Sequence, residues 1–211
     1  MKYPHYSVYE KLYKRFFNKG VQYLINEADL SASDNVLDIC GGNGRLTREL
    51  IKVTNKVSYL DGEKDMIPSD LKSLGVKVYN NTVEDWVNST HEKFTKVFCE
   101  QAVNYWLLST DLEKFSNVFQ KGGLFIFNTF SKMPSVKPKV KEYDINGVAY
   151  LEISYLVDNK VHHIQVCEGC EPHFTIFDWI SEEEYINKLS PYFDIQVKDD
   201  GKSALYICKR K

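Results

Sequence analysis

Short apolar segments that alternate with helical segments constrain the fold of this chain most. Strand-like runs are predicted at 35–40, 56–61, 76–79, 96–100 and 124–129, and helices at 7–28, 44–53, about 65–74 and 111–120. Gly122 and Gly123 are expected to end the last of these helices. Apolar strands separated by helices are typical of an α/β fold with a doubly wound, mostly parallel sheet. Such a sheet binds ligands at the carboxyl ends of its strands.

The pattern changes after the fifth strand. The next strand-like runs are VAYLEISYLV, KVHHIQVC and HFTIFDWI, which predict a small antiparallel β insertion over residues 135–180. The lysines at 137, 139 and 141 read as an exposed loop. A helix with Ser181 at its N-cap follows, and two strands around Gly201 close the chain. Neither repeats nor linkers divide the sequence, so we predict a single domain over residues 1–211.

Composition limits the possible partners. The 211 residues carry a formal net charge of -2, which argues against a nucleic acid partner. Apolar runs stay well below the ~20 residues of a membrane span, so we expect no membrane partner. The N-terminal residues lack the apolar centre of a secretion signal, which predicts a cytoplasmic location. Five cysteines, an odd count, favour reduced thiols over a disulfide framework.

The segment VLDICGGNGRL places a carboxylate, Asp38, in an apolar strand directly before Gly41, Gly42 and Gly44. Glycines permit a close approach of a ligand to the backbone, as in dinucleotide-binding loops. A pyrophosphate next to Asp38 would be repelled by roughly 1 kcal/mol even at water-like screening. A cationic ligand is attracted instead. S-adenosylmethionine fits, because it carries an ammonium and a sulfonium group beside a neutral ribose and adenine.

The ends of the following strands offer partners for the rest of such a ligand. Asp61, at the end of the second strand, is placed to accept both ribose hydroxyls. The residues expected to accept the adenine amino group or to cover the ring are Glu84, Asp85, Val83 and Trp86. Glu100 and Gln101 follow the fourth strand and are expected to face the methionine part.

Together these segments resemble the class I S-adenosylmethionine-dependent methyltransferases. VLDICGGNG is similar to the first motif of that family, LDGEKDM to its acidic second strand end, and KGGLFIFNTF to its fifth strand. The resemblance covers residues 35–129 and the closing helix and strands. It implies a Rossmann-like sheet of seven strands with the last one antiparallel. It also implies cofactor contacts by the motif residues Cys40, Gly62 and Met66, and by Tyr9 and Tyr13 on a helical cover formed by residues 1–30.

Two positions depart from the family pattern. Cys40 stands where the family usually has glycine, and Thr82 aligns with the acidic residue expected after the third strand. The resemblance implies methyl transfer to oxygen or nitrogen of a small molecule. Candidate bases are Glu100 and the histidines of the insertion, which we expect to act as a lid: His162, His163 and His173. We favour His162, because it shares a strand face with Ile164 and Val166.

Several alternatives remain open at this point. Cys167 and Cys170 have zinc-ligand spacing, but a second ligand pair is missing, so we predict no metal. The insertion's aromatic residues also suit a homodimer contact. Other functions compatible with the motifs are a non-catalytic adenosine-ligand-binding regulatory module and a methyltransferase acting on RNA or protein. A nicotinamide oxidoreductase is disfavoured by Asp38.

Overall fold

The computed structural model describes residues 20–145, 147–168, 172–199 and 203–211. The predicted contacts of Tyr9 and Tyr13 lie outside these residues, as do Cys170 and Gly201. In chain order the strands are β1 Val36–Ile39, β2 Val57–Leu60, β3 Lys77–Tyr79, β4 Phe94–Glu100, β5 Phe119–Phe130, β6 Lys139–Ile145, β7 Val148–Val157, β8 Lys160–Cys167, β9 His173–Asp178, β10 Phe193–Asp199 and β11 Ser203–Arg210.

A seven-stranded sheet forms the centre of the fold, in the order β10-β11-β5-β4-β1-β2-β3. Strands β1 to β5 pair in parallel. The last strand, β11, runs antiparallel to both of its neighbours, β5 and β10. A mostly parallel, seven-stranded sheet with an antiparallel last strand confirms the fold class predicted from the sequence.

Helices cover both faces of this sheet. Residues 20–27 are helical (α1), and the other helices are α2 Arg45–Leu50, α3 Val83–Ser89, α4 Leu112–Ser116 and α5 Glu182–Leu189. On one face α3, α4 and α5 bury Trp86, Phe115 and Tyr185. On the other face α1 and α2 bury Leu24 and Leu46. Burial on both sides explains why the parallel strands read as continuous apolar runs.

The helix boundaries show which of the predictions made from local sequence signals hold in the structure. Ser181 accepts a hydrogen bond from the Glu184 backbone at 3.2 Å, which confirms the predicted N-cap of α5. Helix α3 was not predicted, although Thr82 accepts from the Asp85 backbone at 3.1 Å and caps it in the same way. The helix predicted around 65–74 is wrong, since this segment contains only a single 3-10 turn, Lys64–Met66, followed by turns.

The predicted helix stop at Gly122 and Gly123 is also wrong, because both glycines lie inside β5. Gly122 has a positive φ of 74°, which favours glycine. A Cβ on Gly123 would lie 3.1 Å from the carbonyl oxygens of Phe94 and Thr95. The pairing of β4 with β5 shifts its register between Phe94 and Lys96. These glycines therefore serve an irregularity of the strand pair.

A second, antiparallel sheet has the strand order β6-β7-β8-β9. It contains four strands, whereas the sequence indicated three runs, because Lys139 and Lys141 lie in β6. The prediction of a loop at these lysines is therefore wrong. Val140 pairs with Ile153 of β7, and lysines are common on edge strands, where they discourage pairing with other chains. Cross-strand pairing overrides the local composition here.

The small sheet is attached beside the carboxyl ends of β4 and β5. Asn104, in the 3-10 turn after β4, donates its Nδ2 to the backbone oxygen of Asp178 at 3.0 Å. Its Oδ1 accepts from Thr129 Oγ1, near the end of β5, at 2.9 Å. The rings of Tyr105 and Phe177 lie 5.2 Å apart. We call the face that carries Phe177 the inner face and the opposite face the outer face.

None of the helices in the described part of the chain has the length and apolar character needed to cross a membrane.

The outer face of the small sheet carries exposed apolar side chains. Val140, Phe174 and Ile176 are each more than half exposed there, at 55%, 66% and 55%.

Candidate functional site

The glycine loop between β1 and α2 is held tightly against β2. Gly42 and Gly44 have positive φ angles of 51° and 71°, a backbone region that favours glycine. A Cβ on Gly41 would lie 2.4 Å from the Tyr59 ring, which only glycine avoids. The Tyr59 hydroxyl donates to the Gly42 carbonyl at 2.6 Å. The loop therefore presents its backbone in a fixed shape at the strand ends.

Asp61 joins this loop to the end of β2. Its Oδ2 accepts from the Gly42 backbone N–H and its Oδ1 from the Glu63 backbone N–H, both at 2.8 Å. Burial raises the pKa of Asp61, although these two backbone hydrogen bonds oppose the shift. The Tyr59 side chain is a third hydrogen-bond partner of Asp61. A carboxylate offers about four acceptor positions, so it is not saturated by these three partners. Acceptors at this strand end suit a pair of ligand hydroxyls.

Asp38 is 1% exposed and links β1 to α2. Its Oδ2 accepts from the Thr47 hydroxyl at 2.5 Å. Burial raises the pKa of Asp38 to about 7, and the nearby carboxylates of Glu100 and Asp61 add to this shift. This contact gives Asp38 a structural role in holding α2. Its predicted role in attracting a cation stays a prediction.

Glu100 at the end of β4 forms an ion pair with Arg45, the first residue of α2. Arg45 Nη2 donates to Glu100 Oε2 at 2.6 Å, and the two side chains are only 20% and 12% exposed. Arg45 was not among the predicted site residues, although its place directly after the glycine loop is a sequence signal for it. Gln101 follows with a positive φ of 54°, and its backbone N–H donates to Asn128 Oδ1 at 2.9 Å. The ends of β4 and β5 are thereby joined.

The predicted adenine contacts are only partly brought together. Trp86 is 2% exposed and packs between Tyr79 and Phe94, with ring centroids 5.7 and 6.0 Å away. Val83 is 4% exposed. Burial in the core argues against either side chain covering a ligand ring, since a covering side chain must present a free face. The two side chains are buried because they lie on the core side of helix α3, which was not predicted from the sequence.

Of the two acids of α3, Glu84 has a hydrogen-bond partner, and the adenine contact of Asp85 stays a prediction. The Ser109 hydroxyl donates to Glu84 Oε1, and Asp85 lies exposed in the first turn of α3. The loop after β3, rather than α3, lies against the end of β2. A Cβ on Gly62 would lie 3.7 Å from the Asn81 carbonyl oxygen, and Asn80 Nδ2 donates to the Asp61 carbonyl oxygen at 3.0 Å. Asn80 and Asn81, which directly follow β3, are the sequence feature from which this contact between the loop and β2 could have been predicted.

Met66 does approach the glycine loop, because a Cβ on Gly42 would lie 3.8 Å from its methyl carbon. Gly42, Asp61 and Met66 thus meet at one place, as the sequence predicted for cofactor contacts. Their function in ligand binding stays a prediction.

Cys40 occupies the position where the family pattern has glycine, and the backbone shows why glycine suits it. Its φ is 54°, in the left-handed region. A hydrogen bond with the Cys99 thiol, together with burial, raises the pKa of Cys40 well above its usual value. Cys40 is therefore a neutral thiol that lies at the edge of the aromatic core.

The left-handed backbone at Cys40 leads to a stability prediction. We expect Cys40→Val to unfold at least about 1–2 kcal/mol more easily than Cys40→Gly, because an L-residue, above all a β-branched one, is strained at positive φ. Valine keeps roughly the volume of cysteine, whereas glycine removes the side chain, so greater stability of Cys40→Gly means that the backbone strain of valine exceeds the packing that glycine loses. Urea denaturation followed by circular dichroism measures it, and equal stability of the two variants would contradict it.

The three histidines lie on different faces of the small sheet. His162 lies on the outer face and stacks on Tyr155, with ring centroids 5.1 Å apart. His163 and His173 lie on the inner face, in register with Thr175 and Gln165. The preference for His162 therefore loses its basis, since its apolar neighbours belong to the face turned away from the strand ends.

His163 belongs to a hydrogen-bonded group on the inner face. Its Nδ1 lies 2.8 Å from Ser154 Oγ, and its Nε2 lies 3.6 Å from Glu152 Oε1. The Tyr143 hydroxyl donates to Glu152 Oε2 at 3.1 Å. Burial lowers the pKa of His163, although Glu152 opposes the shift. A neutral, oriented imidazole of this kind is suited to accept a proton.

The predicted absence of a metal remains a prediction. Within the described ranges, no three His, Cys, Asp or Glu side chains converge as metal ligands. Cys167 is buried there, whereas Cys170 lies outside these ranges.

Known proteins resemble this chain over part of its sequence and over most of its fold. No protein-family model matches the chain. An uncharacterized methyltransferase of Schizosaccharomyces pombe is 30% identical over 96 residues, which cover 44% of this chain and 36% of that protein. The match thus spans about a third of the relative's length.

Solved structures match over almost the whole chain. A S-adenosylmethionine-dependent methyltransferase from Clostridium acetobutylicum is 18% identical, with a TM-score of 0.72 and coverage of 97% of this chain and 96% of that one. DesVI of Streptomyces venezuelae is 18% identical, with a TM-score of 0.74 and coverage of 98% of both chains.

CalS10 of Micromonospora echinaspora, an amino pentose methyltransferase solved with bound S-adenosylmethionine, is 14% identical, with a TM-score of 0.73 and coverage of 97% of both chains. At these identities the likeness concerns the fold. The chain has the Rossmann-like fold of the class I S-adenosylmethionine-dependent methyltransferases.

Proposed function

We propose that this protein is a S-adenosylmethionine-dependent methyltransferase that acts on oxygen or nitrogen of a small molecule. The observation that carries the proposal is the group of acids around the glycine loop: Asp38, Asp61 and Glu100 surround a fixed backbone turn at the strand ends. Such a site repels a pyrophosphate and attracts a cationic nucleoside. The fold and the partial sequence match support the same assignment.

The residues present fit this cofactor. Asp61 keeps acceptor positions for ribose hydroxyls, and the buried Glu100 Oε1 has no hydrogen-bond partner among the described residues. We propose that Met66 and Asn81 lie next to the adenine, and that Gly42 and Gly44 let the backbone approach the amino-acid part. When bound, the cofactor supplies an electrophilic methyl group. The protein contributes chiefly by holding the acceptor in line with that group.

The substrate side of the site is proposed to be the inner face of the small sheet. This face meets the turn after β4 through Asn104 and Phe177. It carries polar groups that suit a small hydrogen-bonding molecule, among them Glu152, Ser154 and His163. In this proposal residues 135–180 form a lid and residues 1–30 a helical cover on one domain of residues 1–211. The structural neighbour CalS10 methylates an amino pentose, which supports a small-molecule acceptor here.

The remaining sequence predictions are part of the same proposal. The cytoplasmic location is kept as an expectation of this proposal. We also keep the homodimer, for which the exposed apolar residues of the outer face are the available surface.

Titration calorimetry tests the proposed function directly. We expect S-adenosylmethionine and S-adenosylhomocysteine to bind and NAD to show no heat at the same concentrations. Methyl transfer from labelled S-adenosylmethionine to a panel of small amines, alcohols and acids then tests catalysis. NAD binding without S-adenosylhomocysteine binding would overturn the proposal. Cofactor binding without any transfer would favour the non-catalytic regulatory module.

The two neighbouring histidines of β8 provide a matched pair for the catalytic base. We expect His163→Ala to lower kcat/KM about 100-fold with the acceptor found by that panel, because a positioned base contributes roughly this much. His162→Ala, on the outer face, should change it less than about threefold. S-adenosylhomocysteine affinity, measured by calorimetry, should stay the same in both variants. Equal turnover of the two variants would exclude His163 as the base.

A further inference from the structure

We propose that Ser154 contacts the acceptor substrate and passes its proton to His163, which Glu152 holds in the required tautomer. This inference rests on the proposed function, in which the inner face of the small sheet binds the substrate and His163 is the base. The added assignments are Ser154 as the group that touches the acceptor and Glu152 as a positioning residue. The three side chains lie on β7 and β8, not on the glycine loop.

Ser154 and His163 lie directly opposite each other on neighbouring strands. They are register partners in the antiparallel pair of β7 and β8, so their side chains are neighbours on the inner face. Ser154 Oγ lies 2.8 Å from His163 Nδ1, which is the distance of a good hydrogen bond. Both residues are partly exposed, so neither is enclosed in the core. The hydroxyl and the imidazole therefore form one functional pair.

The carboxylate of Glu152 determines which nitrogen of His163 carries the proton. His163 Nε2 lies 3.6 Å from Glu152 Oε1, and Glu152 Oε2 accepts from the Tyr143 hydroxyl at 3.1 Å. A lone pair on Nε2 would be repelled by the carboxylate, whereas an Nε2–H is attracted to it. The neutral imidazole then has its lone pair on Nδ1 and accepts the hydrogen bond of the Ser154 hydroxyl. A proton can therefore reach this nitrogen through Ser154.

Other titratable groups face His163 from the neighbouring strands. Lys141 of β6 is in register with Glu152. Burial lowers the pKa of His163, the carboxylate of Glu152 opposes this shift, and Lys141 adds to it. On β9, Thr175 is in register with His163, and its hydroxyl oxygen lies 3.0 Å from His173 Nε2. A lowered pKa favours the neutral form of His163, which is the form that accepts a proton.

The proton path balances with the methyl transfer. The acceptor oxygen or nitrogen bonds to the methyl carbon as the bond from that carbon to sulfur breaks. The proton of the acceptor passes to Ser154 Oγ, and the hydroxyl proton of Ser154 passes to His163 Nδ1. Ser154 ends as a hydroxyl again, and the positive charge that sulfur loses ends on the imidazolium. Glu152 faces this charge and stabilises it. We call this path the Ser154–His163 relay.

The chemistry of a hydroxyl suits Ser154 to this contact. A serine hydroxyl has one O–H donor and two acceptor lone pairs. The donor binds His163 in the tautomer that Glu152 favours, so the lone pairs suit an N–H or O–H of the acceptor. A hydroxyl paired with an imidazole that a carboxylate orients is a known arrangement for moving a proton away from a reacting oxygen.

The tautomer of His163 can be measured in the protein without any ligand. A two-bond 15N–1H NMR spectrum distinguishes protonated from unprotonated ring nitrogens, and His163→Ala assigns the signals among the five histidines. We expect Nε2 to carry the proton in the wild-type protein. In Glu152→Gln the Tyr143 hydroxyl retains the amide oxygen, so the amide NH2 turns toward Nε2 and shifts the proton to Nδ1. An Nδ1–H in wild type, or an unchanged tautomer in Glu152→Gln, would overturn the inference.

Kinetics with the acceptor found by the small-molecule panel test the relay itself. We expect Ser154→Ala to lower kcat/KM about 100-fold, as His163→Ala does, because either change interrupts the same proton path. The double variant should also lose about 100-fold and not the product of the two single losses. Ser154→Thr keeps the hydroxyl and should stay within about tenfold of wild type. Tyr155→Phe removes a hydroxyl from the next residue, on the outer face, and should change kcat/KM less than about threefold.

The outcomes separate the relay from the proposed function. Activity of Ser154→Ala within about threefold of wild type would overturn the relay and leave methyl transfer intact. A double variant that loses the product of the two single losses would also overturn it, since the two residues would then act independently. S-adenosylhomocysteine affinity should be unchanged in every variant. Wild-type protein that neither binds this ligand nor transfers a methyl group would overturn the proposed function, and the relay with it.

Discussion

Asp61→Ala is expected to weaken S-adenosylhomocysteine binding by about 10- to 100-fold, because leaving hydrogen-bonded polar groups without partners costs about 1–3 kcal/mol. The change removes the proposed ribose acceptor. It also removes the carboxylate that holds the Gly42 and Glu63 backbone N–H groups, each at 2.8 Å. The loss should therefore affect the nucleoside and the shape of the glycine loop together. Calorimetry measures the affinity.

Two further variants make this result specific. Glu63→Ala removes a neighbouring acid but keeps the backbone N–H that Asp61 binds, so affinity should stay within about threefold. Asp61→Asn keeps one acceptor oxygen and should fall between Asp61→Ala and wild type. Affinity of Asp61→Ala within threefold of wild type would contradict the assignment of Asp61 to the ribose.

Lys96→Met is expected to lower the free energy of unfolding by about 3 kcal/mol, because it leaves Asp34 as an unpaired, nearly buried carboxylate. Lys96 Nζ lies 2.6 Å from Asp34 Oδ2, and the side chains are only 11% and 10% exposed. Lys96 also donates to the Asp29 carbonyl at 2.8 Å. The pair joins β4 to the segment before β1. Urea denaturation measures the loss.

The same pair predicts a dependence on acidity. Burial by itself raises the pKa of Asp34, but hydrogen bonds from Lys96 and Ser31 outweigh it and lower the pKa to about 2, from 3.8 in the unfolded chain. The stability from this lowered pKa is therefore present above about pH 4 and lost as the pH falls through 2. Lys96→Met should reduce this acid dependence.

A double variant supplies the control for this pair. Asp34→Asn with Lys96→Met leaves no buried charge and should recover most of the loss of the single variant. A loss below about 1 kcal/mol in Lys96→Met would contradict the burial argument, since that value is typical of solvent-exposed pairs.

Sequence alone determined the central sheet and the place of its ligand site. Strands β1, β4 and β5 are buried on both faces, so their apolar runs are visible without knowledge of their neighbours. The glycine loop and Asp61 were visible because their roles depend on backbone shape and on position at a strand end. The N-cap at Ser181 was visible because it involves residues three apart.

Only the tertiary structure decided which side chains meet. Arg45 and Glu100 lie 55 residues apart, and strand order brings them together. His162 and His163 are neighbours in sequence, yet one faces outward and the other inward, because successive residues of a strand alternate between faces. Which face meets the strand ends depends on how β9 is attached through Asn104. The local sequence reveals the hydrophobic period and the backbone preference of each segment. Packing between distant segments decides which side chains contact each other.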